Sequence, residues 1–237
     1  MRHLVPLLLL SACIVRDVTV EEDRTTWADP VDAVLVDVGS GEVSVAVADV
    51  SEVEVEHTLS YTGQRPDVDI GVSGGVLRVE DHCRTLQARC SLDVRITLPA
   101  SAFVEVDTGS GSVSIEGLDD GAVLSTGSGN VDVWDLVGDL MVDTGSGDVS
   151  AFGIDAARVE VDTGSGSVNL ALDARPALVR VDTGSGNVGI ELPSGRYVVD
   201  TDTGSGDVSL HGVTADQGAD ARLEVDTGSG NVDIVGY

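Results

Sequence analysis

Between residues 104 and 234 the chain alternates apolar and polar positions with period two, in pairs of short runs that flank one recurring turn. The turn reads Asp-Thr-Gly-Ser-Gly at residues 107–111, 143–147, 162–166, 182–186, 202–206 and 226–230, with a variant at 125–129 and Asp-Val-Gly-Ser-Gly at 37–41. Five and three residues before its first glycine stand apolar side chains, Val104 and Val106 in one copy, Leu140 and Val142 in another. Four and six after it stand Val113 and Ile115, then Val149 and Ala151, with Glu105, Asp107, Ser112 and Ser114 at the alternate positions. Such alternation marks half-buried strands, so each repeat predicts strand, tight turn, strand.

The first glycines fall at 109, 127, 145, 164, 184, 204 and 228, a repeat of 18 to 24 residues. A unit this short cannot bury its own apolar face, whereas stacking on its neighbours can, so the expected fold is an all-β solenoid with coils of about 20 residues. Valine suits it because a β-branched side chain packs well on a pleated surface. Only 3% of residues are aromatic, in keeping with a narrow coil interior. The structural turn residues are Gly109, Gly111, Gly127, Gly129, Gly145, Gly147, Gly164, Gly166, Gly184, Gly186, Gly204, Gly206, Gly228 and Gly230. They are expected to supply positive φ, with the preceding aspartate accepting turn N–H groups. At the far side of the coils Gly117-Leu118, Gly153-Ile154 and Gly212-Val213 suggest a third inward position, and the variable loops there suit partner contacts.

Composition narrows the partners. The formal net charge is -28 over 237 residues, with no lysine. An electronegative surface repels phosphate backbones and anionic lipid, which excludes nucleic acid and leaves cations or cationic surfaces. A regular apolar alternation over so much of the chain argues against acidic disorder.

The N-terminus bears on location. Met1-Arg2-His3 precedes an apolar run, 4–10, that is too short to span a bilayer. Leu10-Ser11-Ala12-Cys13 resembles a bacterial lipobox, which implies lipid on Cys13 after cleavage and an exported protein anchored in the cell envelope, on the outer or cytoplasmic membrane. An ordinary secretory signal is the alternative. The chain then divides into a signal peptide (1–12), a polar tether (13–29), a less regular N-terminal β part (30–100) and the regular repeat (101–237). With Cys13 committed to lipid, Cys83 and Cys90 remain as a pair bracketing residues 84–89, which favours a disulfide that closes a hairpin loop. Zinc on His82, Cys83 and Cys90 lacks an evident fourth ligand.

The run Leu92 to Pro99, followed by Phe103-Val104-Glu105-Val106-Asp107-Thr108-Gly109-Ser110-Gly111 and onward to Leu118, is similar to the bacterial β-strand-repeat putative-adhesin family, a domain of unknown function. The resemblance covers about residues 30 to 237 and implies a right-handed single-stranded β-helix. The family supplies no catalytic residues to carry over.

Candidate chemistry is thin. Val-Asp-Thr-Gly-Ser resembles the active-site turn of aspartic proteases, but that chemistry needs two carboxylates sharing a proton between two lobes. The six Asp-Thr-Gly-Ser copies, 19 to 36 residues apart, cannot build one such site. Gly-Ser-Gly has no following lysine for a phosphate loop. A serine nucleophile would need His57, His82 or His211 beside it. Trp134, Phe152 and Tyr197 lie near coil corners, where core or cap packing is favoured over a ligand platform. In-register coils would align Asp107, Asp143, Asp162, Asp182, Asp202 and Asp226 into one file, beside another holding Asp148 and Asp207. A solvated face is favoured over a calcium site, since the glycine-rich nonapeptide of calcium-binding β-rolls is absent. The expected function is a non-enzymatic, lipid-anchored structural or adhesin-like module without a cofactor. The alternatives are a stress-sensing or regulatory docking domain, a calcium-binding solenoid, and last a polysaccharide-active enzyme. The expected partners are the membrane, through Cys13, and an envelope or surface protein or glycan. The strand at 231–235 is expected to end the solenoid, which leaves end-to-end self-association open.

Overall fold

The computed structural model describes residues 17–83, 89–99 and 102–237. Cys13 and the signal peptide lie outside them. Among the described residues there are 22 strands in two eleven-stranded sheets and no helix. The N-terminal strands are β1 (Thr19–Trp27), β2 (Ala33–Val38), β3 (Val43–Val47), β4 (Val53–Tyr61), β5 (Val68–Ser73), β6 (Val76–Asp81) and β7 (Cys90–Leu98). The repeats then contribute strand pairs: β8 and β9 (Phe103–Thr108, Val113–Glu116), β10 and β11 (Ala122–Thr126, Val131–Val137), and β12 and β13 (Leu140–Thr144, Val149–Asp155). Next come β14 and β15 (Arg158–Thr163, Val168–Leu172) and β16 and β17 (Leu178–Thr183, Val188–Leu192). The last are β18 and β19 (Gly195–Thr203, Val208–His211), β20 (Val213–Ala215), and β21 and β22 (Arg222–Thr227, Val232–Gly236).

Each glycine turn carries the chain from one sheet to the other. The first sheet runs β1-β4-β7-β3-β9-β11-β13-β15-β17-β22-β19, the second β20-β18-β21-β16-β14-β12-β10-β8-β2-β6-β5. Pairing through the repeats is parallel and in step: Val104 aligns with Ala122, Leu140, Val159 and Val179 in turn. The inward residues of the alternation, among them Val104, Val106, Val113, Ile115, Leu140 and Val142, are buried in one continuous core. Leu118, Leu136, Ile154, Leu172 and Leu192 fill the third inward position and are buried as well.

Stacking order departs from chain order at both ends. The β21–β22 coil lies between β16–β17 and β18–β19, and β2–β3 lies between β6–β7 and β8–β9. The strand expected to end the solenoid, β22, is therefore interior; the edges are β19 and β20. The excursion through residues 212–221, which lengthens the spacing from Gly204 to Gly228, lets the chain step back over a coil. Since nothing stacks beyond it, the last coil leaves its inward Val208 and Leu210 exposed by 41% and 37%. The opposite end is closed differently, by β4 running antiparallel to β7, β1 antiparallel to β4, and β5 antiparallel to β6. Residues 19–27, expected within a tether, thus form a strand whose charged side chains blunt the sheet edge.

The turns are held by contacts between coils. Gly127, Gly145 and Gly164 donate N–H to the threonine carbonyl of the neighbouring coil at 3.0–3.1 Å. Among the described residues the Asp-Thr-Gly-Ser-Gly aspartates accept no turn N–H, so the expected Asx role is not theirs. In several repeats the residue after the second glycine accepts a backbone N–H from the neighbouring coil instead. Asn130 Oδ1 accepts from Asp148 N, Asp148 Oδ1 from Ser167 N, and Asn187 Oδ1 from Asn231 N, at 2.8–3.0 Å. The expected positive φ holds at Gly186, Gly206 and Gly230, at 157°, 149° and 153°, but not at the other glycines expected to have it, where a different requirement applies. Gly129 does not have positive φ, but any Cβ on it would overlap the carbonyl oxygen of Gly111 one coil away. Close stacking, more than turn conformation, demands glycine there.

Candidate functional site

The second sheet presents the carboxylate file. Asp37, Asp107, Ser125, Asp143, Asp162, Asp182, Asp226 and Asp202 are registered neighbours in that order, so the file skips from Asp182 to Asp226 before reaching Asp202. The members point outward from one sheet at strand spacing, roughly 4.8 Å, and do not face each other across a cleft as a proton-sharing dyad would. Partial burial, then the charges of Asp182 and Asp143, push the Asp162 carboxyl above its ordinary range. Burial, then Asp182 and Asp202, do the same to Asp226. Arginines relieve the adjoining columns of this sheet: Arg158 reaches Glu160 at 3.1 Å, and Arg222 and Arg180 reach Glu224 at 3.1 and 3.7 Å. In the second file Asp148 is already engaged with backbone. Among the described residues no three His, Cys, Asp or Glu side chains converge as a metal site.

The histidines lie apart. Ser209 Oγ is 2.9 Å from His211 Nε2 on the edge strand β19, but the pair is solvent-facing and no carboxylate hydrogen-bonds His211 among the described residues. His82 Nε2 lies 3.1 Å from Asp69. His57 faces inward on β4, where burial lowers its pKa and Asp23 partly opposes the shift. Cys83 and Cys90 form a disulfide, Cα atoms 5.6 Å apart, beside a cleft of about 230 Å³ lined by Tyr61, Arg65, Asp67 and His82. A larger open groove, about 660 Å³, crosses the outer face of β1, β4, β7 and β3. Its walls mix signs, with Arg24 and Arg95 among Glu22, Glu56 and Asp93.

The aromatics separate by role. Tyr197 is buried, as expected, with its hydroxyl donating to Pro193 O at 2.6 Å. Trp134 and Phe152 are not: they are registered partners on the outer face of the first sheet, exposed by 38% and 42%. Period two assigns both outward, since Val133 and Ala151 beside them point in.

The geometry defines a class: a two-sheet, all-β stack whose distinguishing surfaces are long ordered faces. The profile of the Toastrack DUF4097 family, a domain of unknown function, matches residues 26–235, and the chain belongs to that family. Solved structures of the same fold include a "putative adhesin" from Parabacteroides distasonis ATCC 8503, 12% identical, covering 92% of this chain and 98% of that one with a TM-score of 0.54. Another, a "putative adhesin" from Bacteroides fragilis NCTC 9343, is 13% identical and covers 90% of this chain and 97% of that one, TM-score 0.52. At such identity these likenesses show the fold alone. No protein of curated function matches the chain.

Proposed function

We propose that this chain is a non-enzymatic, adhesin-like module of the bacterial cell envelope, anchored by lipid on Cys13 and wound as a right-handed solenoid of coils of about 20 residues. The observation that carries it is the pair of long ordered faces: outward side chains repeat in register along the stack, which suits binding an extended partner. The adhesin descriptions of the two structural relatives support the same reading. The lipobox at Leu10-Ser11-Ala12-Cys13 supports the anchor, since several acyl chains hold a protein stably at a bilayer. Detergent phase separation of the full chain expressed in a bacterium tests it. The wild type is expected in the detergent phase with incorporated fatty acid, and Cys13→Ser in the aqueous phase without it. A wild type that stays aqueous and unlabelled refutes the anchor. Cells displaying the chain, compared with cells lacking it, should be retained on a partner surface; equal retention refutes adhesion.

A further inference from the structure

Trp134 and Phe152 stand side by side on β11 and β13 in a chain with only two tryptophans and two phenylalanines. Val137, 44% exposed near the end of β11, extends the apolar strip. Apolar area left in water forgoes the free energy of burial, so exposing two adjacent rings disfavours the isolated fold.

The strip has a uniformly negative rim. Glu116 is registered with Trp134 on its other side, Asp132 lies two residues before Trp134 on the same face, and Asp155 is registered with Val137. Asp135 is the only non-glycine with positive φ among the described residues, at 52°. That backbone is disfavoured for a residue with a Cβ. It carries the carboxylate toward β13, where a Cβ on Gly153, next to Phe152, would lie 2.6 Å from Asp135 Oδ1. Glycine at 153 thus leaves room for a carboxylate beside the rings. Burial holds the Asp132 carboxyl above its usual range. None of these four acids has an ion-pair partner among the described residues, and strands β3, β9, β11, β13, β15, β17, β22 and β19 contain no arginine. The second sheet does the opposite, setting arginines beside its glutamates.

We propose that this strip docks a basic segment of a partner protein, with an arginine or lysine side chain against Trp134 and Phe152 and its charge met by Glu116, Asp132, Asp135 and Asp155. A cation over an aromatic face is attracted by the ring quadrupole, and a guanidinium stacks there while keeping its donors free for carboxylates. The net charge of -28 steers such a partner inward. A neutral glycan would stack on the rings but brings no charge to set against four carboxylates. This inference rests on the reading of the chain as a binding module and names its partner's chemistry.

The test uses the full chain carrying Trp27→Phe, so that fluorescence reports Trp134 alone. Blocked (Arg-Gly)4 peptide is titrated beside blocked (Ser-Gly)4 and cellohexaose, with calorimetry for variants that lack the fluorophore. The arginine peptide is expected to bind saturably, about five-fold more weakly to Trp134→Ala and to Glu116→Gln. The double variant Asp202→Asn, Asp226→Asn, on the other sheet, should bind as the parent does. Equal binding by every variant would reduce the effect to general attraction and overturn the site. Saturation by cellohexaose alone would make it a glycan platform instead, and saturation by no probe refutes the strip as a site. Unchanged detergent partition and cell retention would show that only the partner assignment had failed.

Discussion

In the stacked turns the threonine, which continues the inward alternation by one step, is buried, or half-buried at Thr203, and all but one donate their hydroxyl to the second glycine of the neighbouring coil. Thr126 reaches Gly111 O at 3.1 Å, Thr144 reaches Gly129 O at 3.3 Å, and Thr183 reaches Gly166 O at 3.0 Å. Thr108 is the exception: its hydroxyl is buried without a partner. A satisfied hydroxyl contributes about 1 kcal/mol and an unsatisfied one costs a similar amount. Thr144→Val should therefore destabilise by about 1 kcal/mol, whereas Thr108→Val should be neutral or stabilising, as read by urea denaturation. Equal losses at both sites would contradict the hydroxyl's role. Gly129→Ala tests the stacking requirement. Its methyl meets backbone, which cannot step aside, so the cost is expected near 3 kcal/mol, a fall in Tm of roughly 10 °C for a chain this size.

At the scale of the strand, the carboxylate file makes stability depend on pH in the direction opposite to ordinary acid denaturation. The folded pKa values of Asp162 and Asp226 are raised, so above them both groups carry an unfavourable charge in the native state. As pH falls through the folded values the native state takes up protons before the unfolded chain does, and stability is gained; below the unfolded value near 4 the gain is complete. Asp162→Asn should then raise Tm at pH 7 in low salt, with its advantage shrinking toward pH 4 and in high salt. An advantage unchanged by pH would exclude charge as the cause. Calcium and a chelator at matched ionic strength are expected to leave Tm unchanged, and a rise of several degrees specific to calcium would place an ion in the file. These strands were legible in the chain because period two names both faces of each run. The inward threonines were equally derivable, as positions 104, 106 and 108 are one series. What Asp107 and its equivalents do was not legible, because turn chemistry within one copy says nothing about the coil stacked against it. The outward ring pair could also have been found, from the parity of Trp134 and Phe152.

Over the whole molecule, the order of coils was hidden for a physical reason. Every interior coil offers the same valine pattern and glycine edge, so the local sequence does not select which neighbour it joins. The longer spacing between Gly204 and Gly228 was the one irregularity that marked the detour. Strand β1 was hidden because its residues are polar on both faces and gain their place by edge pairing alone. Placement of β21–β22 inside the stack predicts that removing residues 220–237 detaches β18 and β19 from the core. Limited proteolysis of that truncation should cut within 193–219 at rates approaching those of an unfolded segment, while the full chain resists there. Equal resistance would mean that the preceding coil docks without them.

That interleaving also has a kinetic side. From β8 to β16 successive repeats pair across 18 to 20 residues, but β16 finds β21 across 44, from Val179 to Leu223. Closing the longer loop costs little free energy yet delays the contact. During synthesis, β18 and β19 emerge before the coil they must lie against and wait with Val208 and Leu210 unshielded on both sides. The rod therefore cannot assemble in the order in which it is made, and a chain cut short there would announce itself to proteases.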